Sequence, residues 1–338
     1  MNLTTTYLGL TLRSPLVASA GPLSQTVDGV KSLAAGGVGA VVMYSLFEEQ
    51  VRQQAEFDDF LTSMTSGLTP EADSFFPSLH TEDNSVAHEY LTLVERSAAA
   101  IDVPLIASLN GSSVGSWVTF ARQLADAGAA AIELNVYYVP GDFTLTGAEV
   151  EQRHVDIVAA VKQAVSVPVA VKLSPYFSAF GNLALRLEAA GADGLVLFNR
   201  FLQPEVDVES LTVKPSVALS TRFEGRLPRT WIAALAGRVN CSLAATSGVE
   251  EASDVVRYLL AGADVVMTTS ALVRRGPDYS AKLLEGLREW MRVKGYADVA
   301  DFRGLLAVPA DAEGDAYQRA GYVAALNKAK ETYGSLLG

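Results

Sequence analysis

Lys172 is the residue whose surroundings point most directly to chemistry. It stands within the apolar run Val169–Leu173, and an ammonium group in a buried strand has to be paired or to serve a bound anion. No acidic residue lies in that run. We therefore expect Lys172 to contact a ligand, and a structural salt bridge with another element is the alternative.

Other apolar runs end in residues with amide, hydroxyl or guanidinium groups. An amide offers a donor and an acceptor without charge, which suits the edge of a heterocycle such as an isoalloxazine or a pyrimidine. Singly, each asparagine could equally be a turn former. The guanidinium could bind a substrate carboxylate or form an outward salt bridge. These run-terminal residues are Ser19, Tyr44, Ser45, Asn110, Asn135, Tyr137, Tyr138, Asn199 and Arg200.

Two segments near the C-terminal end of the chain have the composition of a phosphate cradle. The first is Thr246–Val249, followed by a helical pattern from Glu250, and the second is Thr268–Leu272. Small residues let backbone N–H groups approach an anion, and a following helix directs its positive dipole at it. The predicted phosphate-binding residues are Ser247, Gly248, Thr269 and Ser270.

A recurring signal shows which elements must position these groups. Four times a helical pattern ends at Ala-Gly, and a short apolar run begins within a few residues. Glycine after a helix favours the left-handed cap conformation, and a continuous apolar run is typical of a buried parallel strand. Two further runs open with Val-Pro, which is tolerated at the start of a strand. The glycines of the signal are Gly36, Gly128, Gly191 and Gly262, and the two prolines are Pro104 and Pro168.

Strand and helix patterns alternate along the whole chain. Counting Leu16–Ser19 as strand one and Ser242–Ala245 as strand seven gives eight strands, which predicts a single (β/α)8 TIM barrel over residues 1–338. A doubly wound sheet is the rival, but no GxGxxG fingerprint occurs. Reacting groups of such barrels project from the C-terminal strand ends. A long insertion after strand two, about 47–89, is typical of a lid or an interface element, and a C-terminal helix over 317–333 should pack outside the barrel.

Composition excludes several classes of function. The 338 residues are 49% hydrophobic and 19% charged, with a formal charge of −12, which disfavours nucleic acid and anionic membranes as partners. No run approaches the roughly 18 apolar residues of a membrane span, and the N-terminus lacks a signal pattern, so a cytoplasmic location is expected. The single Cys241 rules out an internal disulfide and reads as a buried thiol. Scattered histidines predict no metal site; they are His80, His88 and His154.

Taken together, these segments resemble the FMN-dependent dihydroorotate dehydrogenases, in particular a dihydroorotate dehydrogenase-like branch of that family. The resemblance covers nearly the whole chain, and its motifs follow the family's order. They are SPLVASAGP, SLFEEQ, ELNVYYVPG, VKLSPYF, LVLFNRF, SLAATSGV and AGADVVMTTSAL.

The resemblance implies a role for each site residue. Lys172 would contact the N1 and C2 carbonyl region of the flavin, where a cation stabilises the negative charge of the reduced form. Ser247, Gly248, Thr269 and Ser270 would bind the FMN phosphate. The family also implies a homodimer and a place in pyrimidine biosynthesis. The implied flavin contacts are Ala18, Ser19, Ala20, Tyr44, Ser45, Asn110 and Asn135, and the implied substrate contacts are Asn135, Asn199 and Arg200.

Two positions depart from the family pattern. Tyr44 stands where members usually place a lysine, and Tyr137 and Tyr138 follow strand four where members place the cysteine or serine that removes a proton from dihydroorotate. A neutral phenol can donate a proton but is a poor base at neutral pH. Arg200 could replace the missing cation. The departures leave orotate recognition open.

The expected function is an FMN-dependent oxidoreductase that exchanges hydride between the flavin N5 and a small CH–CH or C=C substrate. Tyr138 or Tyr137 would supply the proton, with aromatic packing at the barrel mouth as the alternative for this pair. Two other functions stay open. One is a flavin-binding or ligand-binding barrel that has lost catalysis, and the other is a lyase or isomerase that uses Lys172 as a base or Schiff-base nucleophile.

Overall fold

A closed barrel of eight parallel strands forms the core of the structure. The computed structural model describes residues 1–50, 86–110, 114–138, 140–200, 204–216 and 218–334. Each barrel strand pairs with the next, and the last pairs with the first, which confirms the predicted (β/α)8 barrel. The strands are β1 Leu16–Ala18, β2 Ala40–Phe47, β3 Leu105–Asn110, β4 Ala131–Asn135, β5 Val169–Leu173, β6 Gly194–Leu197, β7 Ser242–Ala245 and β8 Val265–Thr268.

Helices surround the barrel and alternate with its strands. The barrel helices are α1 Val27–Ala35, α2 Val86–Ala100, α3 Val114–Asp126, α4 Gly147–Ala164, α5 Phe180–Ala189, α6 Arg226–Leu235, α7 Ala252–Ala261 and α8 Tyr279–Lys294. A short helix, Ser270–Arg275, lies between β8 and α8, and a C-terminal helix, α9, spans Gly314–Tyr333. In the described part of the chain, no helix combines the length and the apolar character that a membrane crossing requires.

The left-handed glycine predicted after each helix is found at three of the four positions, and at the first site it lies one residue later. Gly128, Gly191 and Gly262 have φ values of 95°, 102° and 114°, in the left-handed region that side chains with a β-carbon resist. At the first site Gly37, with φ 93°, takes this conformation, while Gly36 stays right-handed with φ −66°. These caps end the helices where the following strands must enter the barrel.

Side chains of the barrel strands alternate between the barrel interior and the surrounding helices. On β4, Ile132 and Leu134 belong to the cluster under the helices, whereas Ala131 belongs to the interior cluster. The two-residue period of a strand therefore directs Glu133 and Asn135 into the interior. By the same alternation, Lys172 on β5 points inward.

An N-terminal hairpin closes the bottom of the barrel. Thr5–Tyr7 pairs antiparallel with Leu10–Leu12, and Tyr7, Leu8 and Leu12 pack with the interior side chains of the strands. The lower half of the interior is therefore apolar and filled. Polar interior residues concentrate toward the C-terminal strand ends.

Two predicted peripheral elements have different outcomes. Of the predicted insertion at 47–89, residues 51–85 lie outside the described residues; β2 extends to Phe47 and α2 already begins at Val86. The predicted C-terminal helix is present as α9. Its described side chains are almost all exposed, including Tyr322 and Leu326, so they bury no face against the barrel.

Cys241 lies immediately before β7 and is half-buried. Burial, followed by the charge of Glu188, raises the pKa of its thiol to about 12. The thiol therefore stays protonated at neutral pH and is a poor nucleophile, in keeping with a structural role.

Candidate active site

Lys172 and Glu133 form an ion pair inside the barrel. Nζ of Lys172 lies 3.4 Å from Oε1 of Glu133, and the two side chains are 9% and 1% exposed. The register of β4 and β5 places Lys172 beside Asn135, while Glu133 lies beside Ala170, one interior layer deeper. The predicted alternative of a salt bridge therefore exists in the structure. It does not remove Lys172 from the cavity described next.

A cavity of about 250 Å³ opens at the C-terminal ends of the strands. Its wall combines a buried cation, an amide, and hydroxyl and glycine residues of the loops after β7 and β8. Nine of the predicted site residues line it, namely Ser19, Ala20, Lys172, Asn199, Arg200, Ser247, Gly248, Thr269 and Ser270. The structure therefore brings the two predicted loops and the predicted lysine to one place.

The loop after β7 requires a glycine at position 248. Ser247 and Gly248 have φ values of 78° and 68°, so both are left-handed. A β-carbon at Gly248 would lie 2.7 Å from the amide nitrogen of Gly225 and 2.7 Å from the carbonyl oxygen of Thr221. This close approach holds the loop against the connection between β6 and α6.

Ser220, from that connection, bridges the two small-residue loops. Its hydroxyl accepts a hydrogen bond from the Gly248 amide at 3.3 Å and donates one to Oγ of Ser270 at 2.9 Å. The sequence analysis missed Ser220. It lies in an irregular stretch far along the chain from either loop, and no local pattern marks such a residue.

A hydrogen-bonded network joins four polar side chains on the opposite side of the mouth. Asn199 donates from Nδ2 to Oδ1 of Asn135 at 2.5 Å, and Asn135 donates from Nδ2 to Oγ of Ser45 at 3.3 Å. The hydroxyls of Ser45 and Ser108 are 2.7 Å apart. Three of these residues were predicted, and Ser108 was missed. The period of two, counted back from Asn110 on β3, would have found Ser108, just as counting back from Asn135 would have found Glu133.

Tyr44 does not line this cavity. The register between β2 and β3 shifts between Val42 and Ser45, and the Tyr44 ring packs edge-on against Tyr90 of α2 with ring centroids 5.0 Å apart. Burial, and then the charge of Glu89, raises the pKa of Tyr44. Tyr44 is thus a neutral phenol and supplies no cation at the end of β2.

Tyr137 and Tyr138 also lie outside the cavity lining. The guanidinium of Arg153 on α4 stacks over the Tyr138 ring, 4.5 Å from its centroid, and Tyr137 is 36% exposed. The backbone of Tyr137 turns back to the Asn135 carbonyl, with an N–O distance of 2.8 Å. The pair therefore stands at the end of β4 beside the amide network, with Tyr138 held by α4.

Four other predicted cofactor contacts do not line the cavity, among them Ser45 and the buried Asn135 of the network described above. Ala18 packs under the helices outside the barrel, with 1% of its surface exposed. Asn110 ends β3 and is 5% exposed. For Ala18, the alternation along β1 explains the placement, because Ser19 and not Ala18 takes the inward position.

Arg200 lies at the rim of the cavity and pairs with Glu224. Nε of Arg200 is 3.1 Å from Oε1 of Glu224, with about a third of each side chain exposed. Burial raises the pKa of Glu224, but hydrogen bonds from Thr221 and Arg200 outweigh it and leave the pKa below its usual value. Both residues also line a second cavity of about 370 Å³ that shares Phe198, Asn199, Arg200 and Ser247 with the first.

The geometry suits an elongated ligand with an anion at one end and a polar ring at the other. The loops after β7 and β8 offer small residues and a helix start, which bind anions through backbone N–H groups. Lys172 and Asn199 add a cation and an amide to the wall of the same cavity, and such groups bind carbonyl and ring-nitrogen groups. The two adjoining cavities together reach the size range of ligand pockets, about 300–1,000 Å³.

Comparisons with known proteins agree with this geometry. A family model described as "Dihydroorotate dehydrogenase" matches residues 79–291. Among similar proteins is the "Dihydroorotate dehydrogenase B (NAD(+)), catalytic subunit" of Methanothermobacter thermautotrophicus, 30% identical over 90% of this chain and 98% of that protein. Proteins of the same description from Listeria monocytogenes and Methanosarcina mazei are each 28% identical. They cover 87% and 89% of this chain and 95% and 94% of their own lengths.

Proposed function

The chain belongs to the dihydroorotate dehydrogenase family, and from this premise we propose that it is an FMN-dependent oxidoreductase acting on a CH–CH group of a small substrate. The observation that carries the proposal is the buried Lys172 in the wall of a cavity whose other end is formed by the loops after β7 and β8. A buried cation facing a cavity is a group prepared for an electron-rich ligand.

FMN fits the residues present at both ends. Ser247, Gly248, Thr269 and Ser270 would hold its phosphate through backbone N–H groups, since both loops consist of small residues and Ser247 and Gly248 have consecutive left-handed backbones. Lys172 would hold the pyrimidine edge of the ring, and Ser19 and Ala20 would support the ring. Held by these residues, FMN would supply the hydride-accepting chemistry that oxidation of a CH–CH group requires.

The substrate would contact the amide network. Asn135 and Asn199 are fixed by their hydrogen bonds to each other and to Ser45, so they can present amide groups to a polar ring without reorganising. Arg200 would bind a carboxylate of the substrate and share its charge with Glu224. Tyr138 or Tyr137 would donate or accept the proton that accompanies the hydride.

The relatives are named for dihydroorotate, which makes dihydroorotate the first substrate to test. We propose a homodimer on the same family grounds. The lyase alternative is weakened by the ion pair, because Glu133 engages the ammonium form of Lys172, whereas a Schiff base requires the neutral amine.

An absorption spectrum tests the proposal. The purified protein should carry one FMN per chain or take up added FMN, and anaerobic dihydroorotate or a related dihydropyrimidine should bleach the flavin bands. A colourless protein that refuses FMN overturns the proposal. Bound FMN that no dihydropyrimidine bleaches would instead support the flavin-binding barrel without catalysis.

A further inference from the structure

We propose that Glu133 is a positioning residue that sets how much positive charge Lys172 presents to the cavity, and that it thereby lowers the reduction potential of a flavin bound there. The inference rests on the proposed function, since it concerns FMN. The inference goes beyond the proposed function because it assigns a role to Glu133, whose carboxylate lies beneath the cavity and does not line the cavity wall.

Glu133 is placed to act on the ligand mainly by compensating the charge of Lys172. It lies in the barrel interior, beside Ser108 on β3 and Ala170 on β5, one layer below Asn135. Its side chain is 1% exposed, and Oε1 lies 3.4 Å from Nζ of Lys172. The ammonium group therefore sits between a fixed negative charge below and the cavity above.

Within the described residues, Lys172 is the one cation that pairs with Glu133, and Oε2 of Glu133 accepts no hydrogen bond there. Tyr7, from the plugging hairpin, adds no charge, because burial and the charge of Glu133 raise its pKa well above the usual value. The carboxylate charge is thus directed mainly at Lys172.

The physical consequence follows from burial. Charges a few ångströms apart interact far more strongly in a protein interior than in water, so Glu133 offsets part of the field that Lys172 exerts on the cavity. Removing the carboxylate charge leaves the ammonium uncompensated. That ammonium favours the electron-rich form of the ligand, so the bound flavin becomes easier to reduce.

The test is the midpoint potential of bound FMN in Glu133→Gln, measured by reductive titration against a reference dye. Glutamine keeps the shape and removes the charge. We expect the ratio of the dissociation constants of oxidised and reduced FMN to rise at least tenfold, which for a two-electron couple is a rise of about 30 mV. Lys172→Met should shift the potential in the opposite direction. Glu133→Gln/Lys172→Met should exceed Lys172→Met by less than Glu133→Gln exceeds the wild type, because the part of the effect carried by the ammonium is lost and only the field of the more distant carboxylate remains.

The matched control is Glu151→Gln. Glu151 is also buried and pairs with Arg186 at 3.0 Å, but it lies on α4 outside the cavity, so its loss should leave the potential unchanged. Removing one partner of a buried pair is often destabilising. If Glu133→Gln does not fold, Glu133→Asp, which withdraws the charge by one methylene, should give a smaller rise of the same sign.

The outcomes separate the two proposals. A wild-type protein that binds no FMN overturns the proposed function and this inference together. FMN that is bound with an unchanged potential in Glu133→Gln, or in Glu133→Asp where only that variant folds, overturns the inference alone and leaves Glu133 a structural residue. A double variant whose potential exceeds that of Lys172→Met by as much as Glu133→Gln exceeds the wild type contradicts action through Lys172.

Discussion

The two sides of the barrel mouth recognise ligands by different means. The loop side, formed by Ser220, Ser247, Gly248, Thr269 and Ser270, is built from backbone conformation, with two consecutive left-handed residues and a glycine that touches neighbouring backbone. On the amide side, Asn199, Asn135, Ser45 and Ser108 are joined by side-chain hydrogen bonds.

The difference between the two sides predicts that cofactor binding and substrate turnover depend on different residues of the proposed enzyme. A backbone cradle binds an anion regardless of what reacts elsewhere, so the loop side should control whether the cofactor stays bound. Side-chain groups that are fixed by one another orient a small polar ring, so the amide side should control turnover. Substitutions on the two sides should then affect different measurements.

The largest expected effect tests whether the amide side controls turnover. Tyr138→Phe removes the phenolic hydroxyl beside the amide side and keeps the ring that stacks under Arg153. We expect substrate-dependent bleaching of the flavin to slow by about 100-fold, the scale of a lost general acid or base, while FMN stays bound.

Tyr137→Phe is the comparison for this variant. A large effect in one tyrosine variant and none in the other assigns the proton transfer. If turnover is unchanged in both, neither tyrosine takes part and the amide side loses its proposed acid.

The next effect tests the loop side. Gly248→Ala introduces a β-carbon 2.7 Å from two backbone atoms at a φ of 68°, where a side chain is strained by about 1–3 kcal/mol before any clash is counted. We expect the affinity for FMN to fall by about 10- to 100-fold, measured by fluorescence titration of the apoprotein.

Gly115→Ala is the control, because a β-carbon at Gly115 on α3 meets nothing within 4 Å. Its stability should stay the same or rise slightly, since alanine is the better helix former. Equal FMN affinity in wild type and Gly248→Ala would show that the tight loop does not bind the cofactor.

The barrel could be predicted from the sequence because its signals are local. Each glycine cap and each apolar strand run is a signal that lies within a few residues, and their regular repetition along the chain identifies the barrel. β5 and β7 begin and end where predicted. The inward direction of Lys172 follows from the same local alternation.

The partners of the site could not be predicted in the same way. Glu133 reaches Lys172 from a neighbouring strand, and Ser220 reaches Gly248 across an irregular connection. Tyr44 was expected at the flavin. The pairing register of β2 shifts after Val42, and the Tyr44 ring packs against Tyr90 instead of lining the cavity. Such contacts depend on register and loop path, which a pattern of residue types does not encode.

The smallest expected effect concerns pH and α4, the helix that holds Tyr138 beside the amide side, whereas the loop-side residues named above have no group that titrates near neutrality. His154 on α4 is buried, with its Nδ1 donating to the Val150 carbonyl at 2.8 Å and its ring edge-on to Phe177. Burial lowers its pKa in the folded protein. Below about pH 6.5 the unfolded chain therefore binds the proton more readily than the folded one. The stability due to His154 is complete above that pH and is lost as the pH falls through it.

We expect a loss of no more than about 1.4 kcal/mol by pH 5.5, seen as a fall in melting temperature between pH 7.5 and 5.5 that is smaller in His154→Gln. Glutamine can keep a donor to the Val150 carbonyl but does not titrate, so the difference between the two curves isolates this proton. Carboxylates that titrate at lower pH affect both proteins equally and cancel. Parallel curves for wild type and His154→Gln would mean that the buried imidazole gains its proton without cost, and that α4 does not make the amide side more sensitive to acid than the loop side.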